Sequence, residues 1–379
     1  MDIIREVNAA MKQIIQYRED LHRHPETAFK EQKTTDYIKR RLQEMKIPYT
    51  PLDPTGAVAE IGEGSRVIAL RADIDALQVK EDTGCSFVSE HPGYMHACGH
   101  DGHTAILLGT AQILKKYEKE LKKKILLVFQ PAEETAQGAK LVLESGLLDH
   151  TDEIFGLHIF SGIEAGKISV EAGPRMAATD WFSIDISGKA GHAGKPHLCT
   201  DATVAAAAVV MNLQTIVSRN TDPLDSAVVT VGKLVSGTAR NVISGHARLE
   251  GTVRTFSEDT EQMVKERVIE IACSTAKQFG GEAVADYPAS SHPPLVNSVS
   301  AVKRAERGAE KVFSEDDFVH VPPMMLGEDY SNYLKTIPGA FAFVGGGTDQ
   351  FPNHHGRFDM DERALLSGVK LMLAYAMEE

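Results

Sequence analysis

The chain has few cysteines for its length, and they do not suggest a disulfide framework. Its 379 residues include four, Cys85, Cys98, Cys199 and Cys273, whereas small secreted domains stabilised by disulfides use cysteine far more densely. The stretch 1–26 carries charges every few positions and lacks the apolar run of a secretory signal. We therefore expect reduced thiols and a cytoplasmic location.

Long apolar runs and an excess of positive charge are also missing. No stretch is expected to approach the roughly 18 apolar residues that span a bilayer, so we predict no membrane partner. The formal net charge is -13 at pH 7, and no basic stripe with interleaved aromatic residues compensates for it, so we predict no nucleic-acid partner. Hydrophobic residues make up 42% of the chain, enough for a large core, and the length favours two domains.

The most informative stretch runs from Met95 to Thr104, where three histidines, a cysteine and an aspartate surround two glycines. Such residues are poor packing material for a core. Cys98 and His100 are two positions apart, so on an extended segment both side chains leave the same face. A thiolate and a neutral imidazole suit zinc or a similar divalent ion. A complete metal site would need further ligands from elsewhere in the chain.

Polar residues also follow or interrupt three apolar runs that we predict to be buried strands, and they are Asp73 with Asp75, Glu133 with Glu134, and His158. Taken singly, each has a plainer interpretation, because an acidic pair mostly lies in water and a histidine in an apolar strand is usually a core residue. Together, Cys98, His100, Glu134, His158 and one of His354 and His355 make five ligands. Five ligands exceed the need of one tetrahedral ion, which favours two ions.

The order of predicted strands and helices indicates an α/β fold with two kinds of domain. The first part alternates strands with helices, which is typical of a mixed, mostly parallel sheet with helices on both faces. Within it, 57–61 and 67–70 are predicted to pair across a turn. Residues 179–289 follow the order β-α-β-β-α-β of a ferredoxin-like α+β sandwich. We therefore predict a catalytic domain of residues 1–178 and 290–379, with 179–289 inserted as a lid or dimerisation domain.

Several segments together carry a family resemblance, and they are His24-Pro25-Glu26, Leu70 to Leu77, Met95 to Ala105, Phe129 to Glu134, Gly156 to Ile159, Gly188 to His197, Gly327-Glu328-Asp329-Tyr330 and the final His-x-x-x-Phe. In this order the chain resembles the amidohydrolase branch of the two-domain metal-dependent peptidases. This branch includes hippurate hydrolase, the plant indole-acetyl-amino-acid hydrolases and bacterial N-acyl-amino-acid deacylases, with aminoacylase and carboxypeptidase G as more distant relatives. The resemblance extends through essentially the whole chain.

The resemblance implies two divalent ions, Zn, Mn, Co or Ni, held by Cys98, His100, Glu134, His158 and His354. It implies Glu133 as the general base for a water that bridges the ions. Asp73, or Asp75 as second choice, would orient a metal ligand. The late ligand is assigned to His354 rather than His355, because the family's ligand stands four residues before a phenylalanine, here Phe358.

In the inserted domain, the resemblance implies that His192 reaches the substrate and acts in catalysis, often from the partner subunit of a homodimer that forms through this domain. Asn241 and Arg254 would receive the substrate's carboxylate, for which a guanidinium fork is well suited. The implied reaction is hydrolysis of the amide bond of a small N-acyl amino acid to a carboxylate and a free amino acid.

Three other functions stay open at this point. A dipeptidase or aminopeptidase would use the same dinuclear site, but it would also need a group for a free α-amine. A non-catalytic protein could keep the fold and bind an acylated ligand, although the base and all the ligands are present. A thiol hydrolase with Cys98 as nucleophile would leave Glu134, His158 and His354 without a role.

Overall fold

The computed structural model describes residues 1–290 and 292–379. The chain divides into two compact units, which are described separately. The first unit comprises Met1–Gly173, Val296–Pro322 and Asp329–Glu379, and the inserted unit comprises Pro174–Leu295 and Pro323–Glu328. Each unit has a hydrophobic core of its own. The inserted unit thus begins a few residues before the predicted 179–289, ends a few residues after it, and gains a short later segment.

The regular elements are as follows. The helices are α1 (Ile3–His22), α2 (Gln32–Glu44), α3 (His100–Lys116), α4 (Gly138–Glu144), α5 (Ala202–Thr215), α6 (Glu258–Gln278), α7 (Val299–Ala309), α8 (Ser331–Leu334) and α9 (Arg363–Met377). The strands are β1 (Tyr49–Pro51), β2 (Ala57–Ile61), β3 (Val67–Asp73), β4 (Lys124–Gln130), β5 (Glu153–Ser161), β6 (Ile168–Ser169), β7 (Gly173–Met176), β8 (Asp180–Ser187), β9 (Gly191–His192), β10 (Ala227–Ser236), β11 (Val242–Ile243), β12 (His246–Thr255), β13 (Glu282–Asp286), β14 (Leu295–Asn297) and β15 (Gly339–Gly347).

The first unit is built on a mixed sheet with the strand order β1-β2-β4-β3-β5-β15-β6. The central strands β4, β3, β5 and β15 run parallel, whereas β1, β2 and β6 pair antiparallel towards the edges. The predicted fold class is confirmed. The predicted pairing of residues 57–61 with 67–70 is wrong, because β4 lies between β2 and β3 and bonds to both.

Sequence explains why the parallel strands occupy the centre. Strands β3, β4, β5 and β15 are almost completely buried along their length, as expected for continuous apolar runs covered on both faces. Helices α1, α3 and α9 pack against one another and contribute to the same core. Because parallel strands end on the same edge of a sheet, their polar C-terminal residues are brought together.

The inserted unit contains an antiparallel sheet with the order β10-β12-β8-β13. The apolar residues of α5 and α6 pack with those of the sheet to form its core. The elements β8, α5, β10, β12, α6 and β13 follow the predicted β-α-β-β-α-β order. A small separate ladder joins β9 to β11.

The expectation that no apolar stretch is long enough to span a membrane is wrong for one helical segment of the described residues. Helix α5 continues into a π-helical turn, and the 19-residue segment Ala202–Asn220 contains an 18-residue window with a mean hydropathy of 1.2. By length and composition alone, this segment is long and apolar enough to cross a membrane. In the structure, Ala205, Val209 and Leu213 of this segment belong to the core of the inserted unit. A core helix can have the same length and composition as a membrane span.

Candidate metal centre

The structure brings the five predicted metal ligands of the first unit into one cluster. Cys98 Sγ lies 3.3 Å from His158 Nε2 and 3.3 Å from His354 Nε2. His354 Nε2 lies 3.4 Å from Glu134 Oε1. Donor atoms of Cys98, His100 and His158 lie within 4.8 Å of one another, as do those of Cys98, Glu134 and His354. We refer to this five-residue cluster as the metal centre.

Hydrogen bonds at Nδ1 orient two of the histidine rings. The Nδ1 of His100 donates to the backbone oxygen of Asp75 at 2.9 Å, which leaves Nε2 as the free donor atom for a metal. His158 is oriented in the same way, since its Nδ1 donates to the backbone oxygen of Ile159 at 2.9 Å and its Nε2 faces Cys98. Hydrogen bonds of this kind fix the tautomer of a metal-binding histidine.

His354 reaches the metal centre through an unusual backbone conformation. Its φ is 68°, a left-handed value that is uncommon for residues other than glycine. The strained residue is held by a hydrogen bond of 2.7 Å from its N–H to the oxygen of Ala97, next to Cys98. Its neighbour His355 instead stacks on Phe351, with the ring centroids 4.8 Å apart. The geometry therefore favours His354 over His355 as the ligand.

The electrostatic environment of the metal centre favours a cation. Burial disfavours charge on His100, but the carboxylates of Asp73, Asp75 and Glu134 outweigh it and raise the pKa of this histidine to about 10. Burial alone would raise the pKa of Glu134, yet His354 and His100 keep it below its ordinary value. For His158, burial dominates and lowers the pKa well below the ordinary value, so the ring is neutral.

Glu133, the predicted general base, is buried at the edge of this cluster. Donor atoms of Glu133, Glu134 and His100 lie within 4.8 Å of one another. Its Oε1 accepts the backbone N–H of Asp329 at 3.3 Å. Asp329 is itself fixed by the guanidinium of Arg71 at 3.0 Å. The base is therefore positioned by a buried charged network.

The two aspartates proposed for the orienting role contact different histidines. Asp75 lies at Nδ1 of His100, with its Oδ1 at 3.3 Å. Asp73 bonds to Nδ1 of His103 at 2.7 Å and to Arg71 at 2.7 Å, while its Oδ2 is 3.7 Å from Nε2 of His100. The contact expected of an orienting aspartate is thus made by Asp75, the second choice, and not by Asp73. The catalytic role assigned to Asp73 stays a prediction.

The loop of Glu133 and Glu134 is supported by a residue that was not predicted from the sequence. Glu31 is fully buried, and its carboxylate accepts the N–H of Ala132 at 2.9 Å and the hydroxyl of Thr55 at 2.7 Å. Ala132 has a left-handed φ of 54° immediately before Glu133. Nothing in the local sequence around Glu31 marks it, because it is an isolated acid at the start of α2.

His103 was also not predicted as a site residue, although it lies in the histidine-rich stretch from Met95 to Thr104. Its ring bonds to Asp73 through Nδ1, and its Nε2 accepts the N–H of Ile159 at 2.9 Å. Both ring nitrogens therefore have protein partners. This histidine therefore joins the end of β3 to β5, the strand that carries His158. Its position in the histidine-rich stretch from Met95 to Thr104 was the only sequence feature that could have indicated a role.

The predicted substrate residues lie in the inserted unit and are described within it. His192 and Asn241 belong to the β9–β11 ladder, where Val242 pairs with His192 and the N–H of Ala193 donates to the oxygen of Asn241. The N–H of Gly194 donates to Nδ1 of His192 at 3.0 Å, so the ring proton is on Nε2 and is available to a ligand.

Arg254, the third predicted substrate residue, lies on β12. It is partly buried, and this burial lowers the pKa of its guanidinium from the ordinary value. Its Nη1 donates to the backbone oxygen of Val253 at 2.9 Å. The roles of His192, Asn241 and Arg254 stay predictions.

The residues present fit two divalent ions. Nε2 of His100 is buried and has no hydrogen-bond partner among the described residues, as expected of an atom that binds a cation. The donor set combines imidazole, carboxylate and thiolate, which suits zinc and neighbouring transition metals. The fold and the metal centre therefore define a metal-dependent hydrolase in which the carboxylate of Glu133 lies beside the metal-binding side chains.

Comparison with known proteins identifies the family. Residues 69–378 match the model of peptidase family M20/M25/M40, and the chain belongs to this family. A solved structure of the Bacillus subtilis YXEP protein, a dinuclear metal-binding peptidase of the M20 family, superimposes with a TM-score of 0.87 at 37% identity and covers 97% of this chain and 98% of that chain. This likeness supports two divalent metal ions.

Relatives of known activity match over nearly the whole chain. N-acetyl-L-cysteine deacetylase of Bacillus subtilis is 43% identical over 358 residues, which cover 94% of this chain and 85% of the relative. N-acetyldiaminopimelate deacetylase of Bacillus velezensis is 40% identical over 370 residues, which cover 96% of this chain and 98% of the relative. The predicted family and enzyme class are confirmed.

Proposed function

We propose that this protein hydrolyses the amide bond of N-acyl amino acids and releases a carboxylate and a free amino acid. The observation that carries the proposal is the buried carboxylate of Glu133 beside a cluster of five metal-binding side chains. Both relatives described above are deacetylases of N-acetylated amino acids, and the solved M20 structure carries a dinuclear metal site.

The residues of the first unit divide the chemistry between them. When bound, the two divalent ions supply Lewis acidity, which lowers the pKa of a water molecule and polarises the acyl carbonyl. Glu133 accepts the proton of the attacking water and passes it to the leaving amine. The N–H of Asp329 holds one oxygen of this carboxylate at 3.3 Å, so the base has a fixed orientation.

The proposal is tested by measuring release of free amino acid from a panel of N-acyl amino acids and unblocked dipeptides. Wild type is compared with Glu133→Gln, which keeps the shape of the side chain but cannot accept a proton. We expect the variant to keep its metals and to lose roughly three orders of magnitude in rate, as removal of a general base predicts. Glu144→Gln, on the exposed surface of α4, serves as the control and should keep its activity.

The panel also separates the alternative functions. Cleavage of dipeptides alone would replace the deacylase with a dipeptidase or aminopeptidase. If metal-loaded wild type bound acylated ligands but cleaved none of them, the hydrolase proposal would fail for these substrates. The acyl group and the amino acid preferred by this chain would be read directly from the relative rates.

We infer zinc as the first choice of metal, because Cys98 offers a thiolate and zinc accepts mixed sulfur, nitrogen and oxygen ligands. Manganese, cobalt and nickel bind to similar donors and are compared by loading the metal-free protein with each ion. The metal content and the rate are measured on the same samples, and the metal that gives the higher rate at full occupancy is assigned to the reaction.

For the inserted unit, we propose that the Nε2–H of His192 donates to the substrate and that Asn241 and Arg254 receive its carboxylate. Replacing a donor to a developing oxyanion costs roughly 10²–10³-fold in kcat. We therefore expect His192→Ala to lower kcat by this amount with unchanged metal content. Arg254→Lys should mainly raise KM, because a lysine cannot make the paired hydrogen bonds of a guanidinium. An unchanged KM would remove Arg254 from the substrate site.

We also propose a homodimer that forms through the inserted unit. Strand β10 is at the edge of its sheet, and an edge strand can pair with the same strand of a second copy. Beside it, α5 leaves Val204 and Met211 exposed at 50% and 69%. Met211→Glu should shift the protein to monomers in sedimentation velocity. Val284→Glu, at the opposite edge strand β13, is the matched control and should leave the mass unchanged.

We place the protein in a reducing compartment, the cytoplasm. This is supported by its four cysteines, among which no disulfide occurs in the described structure. Cell fractionation with detection of the protein tests the location. Recovery in a secreted or envelope fraction would contradict it.

A further inference from the structure

A second group of metal-binding side chains lies in the first unit, outside the metal centre. It consists of His22 at the end of α1 and of Glu81 and Cys85 in the loop between β3 and α3, and we call it the loop cluster. One ligand atom of each residue lies within 4.8 Å of the other two. None of these residues belongs to the five ligands or to the network that holds Glu133.

Two of the three distances within the loop cluster match those of ligands around one ion. Nε2 of His22 is 3.2 Å from Oε1 of Glu81, and Sγ of Cys85 is 3.7 Å from the same oxygen. Tetrahedral zinc with ordinary bond lengths separates nitrogen from oxygen by roughly 3.3 Å, and sulfur from either by roughly 3.6 Å. The metal centre itself shows separations of 3.3 and 3.4 Å.

The His22 ring is oriented as a ligand would be. Its Nδ1 donates to Oδ2 of Asp101 at 2.7 Å, and both side chains are buried, with exposed fractions of 2% and 0%. A carboxylate behind a histidine is the usual support of a metal-binding imidazole, because it directs the other ring nitrogen to the ion. Here that nitrogen faces Glu81.

The charges around His22 also favour a bound cation. Asp101 and Glu81 are both buried, and the neighbouring guanidinium of Arg18 is shared between Asp101 and Asp359. Negative groups therefore outnumber positive ones at this place, and a buried excess of charge is costly unless it is neutralised. A divalent cation would neutralise it, and so would a proton on His22.

From this geometry we propose that His22, Glu81 and Cys85 form a third metal site, which binds zinc with imidazole, carboxylate and thiolate ligands. Three protein ligands leave a fourth position for water. The site joins the end of α1 to the loop of Glu81. The same loop contacts the segment after His354, since the N–H of Asp82 donates to the oxygen of Gly356 at 2.6 Å. A zinc ion bound here would therefore link these segments of the first unit.

The competing occupant is a proton, and the two are distinguished by experiment. Burial opposes charge on His22, but Asp101 and Glu81 outweigh it and raise its pKa to about 9. In that state the ring would be an imidazolium between two carboxylates, and zinc would not bind. The number of zinc ions bound per full-length chain therefore distinguishes zinc at the loop cluster from a proton on His22.

The test uses full-length protein that is stripped with a chelator, reloaded with zinc and desalted. Zinc per chain is measured for wild type, Cys85→Ser and the control Cys273→Ser, whose cysteine is exposed on α6. We expect Cys85→Ser to bind one zinc fewer than wild type, and Cys273→Ser to bind the same number. Equal counts in wild type and Cys85→Ser would overturn the proposal, whatever the occupancy of the metal centre.

A second measurement does not depend on the stability of a variant. Alkylation of each cysteine in wild type is followed by peptide mass spectrometry with and without zinc. Zinc should slow the modification of Cys85 at least tenfold and leave that of Cys273 unchanged. Equal rates at Cys85 in both conditions would assign the loop cluster to a proton. Glu81→Gln should reduce the protection if the carboxylate is a ligand.

Discussion

At the scale of single residues, Asp73 and Asp75 show how two nearby carboxylates acquire different tasks. They are separated by one residue at the end of β3, yet Asp75 contacts His100 and Asp73 contacts His103 and Arg71. Asp75 also accepts the N–H of Glu134 at 3.0 Å. It therefore supports two metal ligands at once.

Substituting each aspartate by asparagine separates these tasks. Loss of a carboxylate behind a metal-binding histidine typically weakens metal affinity by 10–100-fold. We therefore expect Asp75→Asn to weaken zinc affinity by this factor, as measured in a zinc competition titration. Asp73→Asn should mainly lower the free energy of unfolding, because it weakens the buried contact to Arg71. A larger loss of zinc affinity in Asp73→Asn would return the orienting role to Asp73.

Glu31 leads to a prediction about pH. Burial raises its pKa to about 7, against an ordinary value of 4.5. Because the folded protein holds this proton more tightly than the unfolded chain, the stabilisation is present below pH 4.5 and is lost as the pH rises through 7. The loss amounts to about 3 kcal/mol. Urea unfolding of wild type from pH 4.5 to 8 should show it, and Glu31→Gln should lack this pH dependence.

Removing the carboxylate altogether tests its contact to the loop of Glu133. Glu31→Ala leaves the buried N–H of Ala132 without its acceptor, which costs about 1–3 kcal/mol. We expect kcat to fall while KM and metal content change little. If kcat of Glu31→Ala equalled that of wild type, the contact to Ala132 would have no part in positioning the base.

The metal-binding residues were predictable because their chemistry differs from that of ordinary core residues. A Cys-Gly-His sequence and an acidic pair after an apolar strand are unusual, and the structure gathers the five named side chains into one cluster. Glu31 was not predictable, since its partner Ala132 is about a hundred positions away in the chain. Burial of a single acid cannot be read from a local pattern.

At the scale of elements, periodicity revealed the strands but not their partners. Strands β2 and β3 are joined by a short turn, which favoured a hairpin. In the structure β4 is inserted between them, and β3 pairs with it in parallel over seven residues, Val67 to Asp73. A parallel neighbour comes from a distant part of the chain, so its choice depends on the packing of the whole sheet.

The start of α4 allows a test of the loop that carries Glu133. A Cβ on Gly138 would lie 1.7 Å from the backbone oxygen of Pro131. Gly138→Ala must therefore displace this loop, and we expect a loss of roughly 3 kcal/mol in stability together with a lower kcat. Gly232→Ala, where no atom lies within 4 Å of the added Cβ, should change neither. Thermal unfolding and rate measurements on both variants provide the comparison.

At the scale of the whole molecule, the two separate cores predict two unfolding transitions. The metal centre lies entirely in the first unit, and a bound ion stabilises only the unit that holds it. At a free metal concentration of a hundred times Kd, this stabilisation is about 2.7 kcal/mol for each site. A chelator should therefore lower the melting temperature of one calorimetric transition and leave the other unchanged. A shift of both transitions would mean that the units unfold together.

The division into an α/β domain and an inserted α+β domain was predicted from the change in pattern after β7, and the fold class is confirmed. The later segment of the inserted unit, Pro323–Glu328, was not predicted. A stretch of six residues without helix or strand periodicity gives no sign of which unit it joins. Only the contacts of the folded chain reveal this.

The position of β15 between β5 and β6 has a consequence for protein synthesis. A ribosome makes Cys98, His100, Glu134 and His158 first, and His354 only after the complete inserted unit has been translated. The inserted unit is mostly continuous in the chain and can begin to fold first, while the sheet of the first unit still lacks β15. The complete set of five ligands therefore exists only after translation has passed His354.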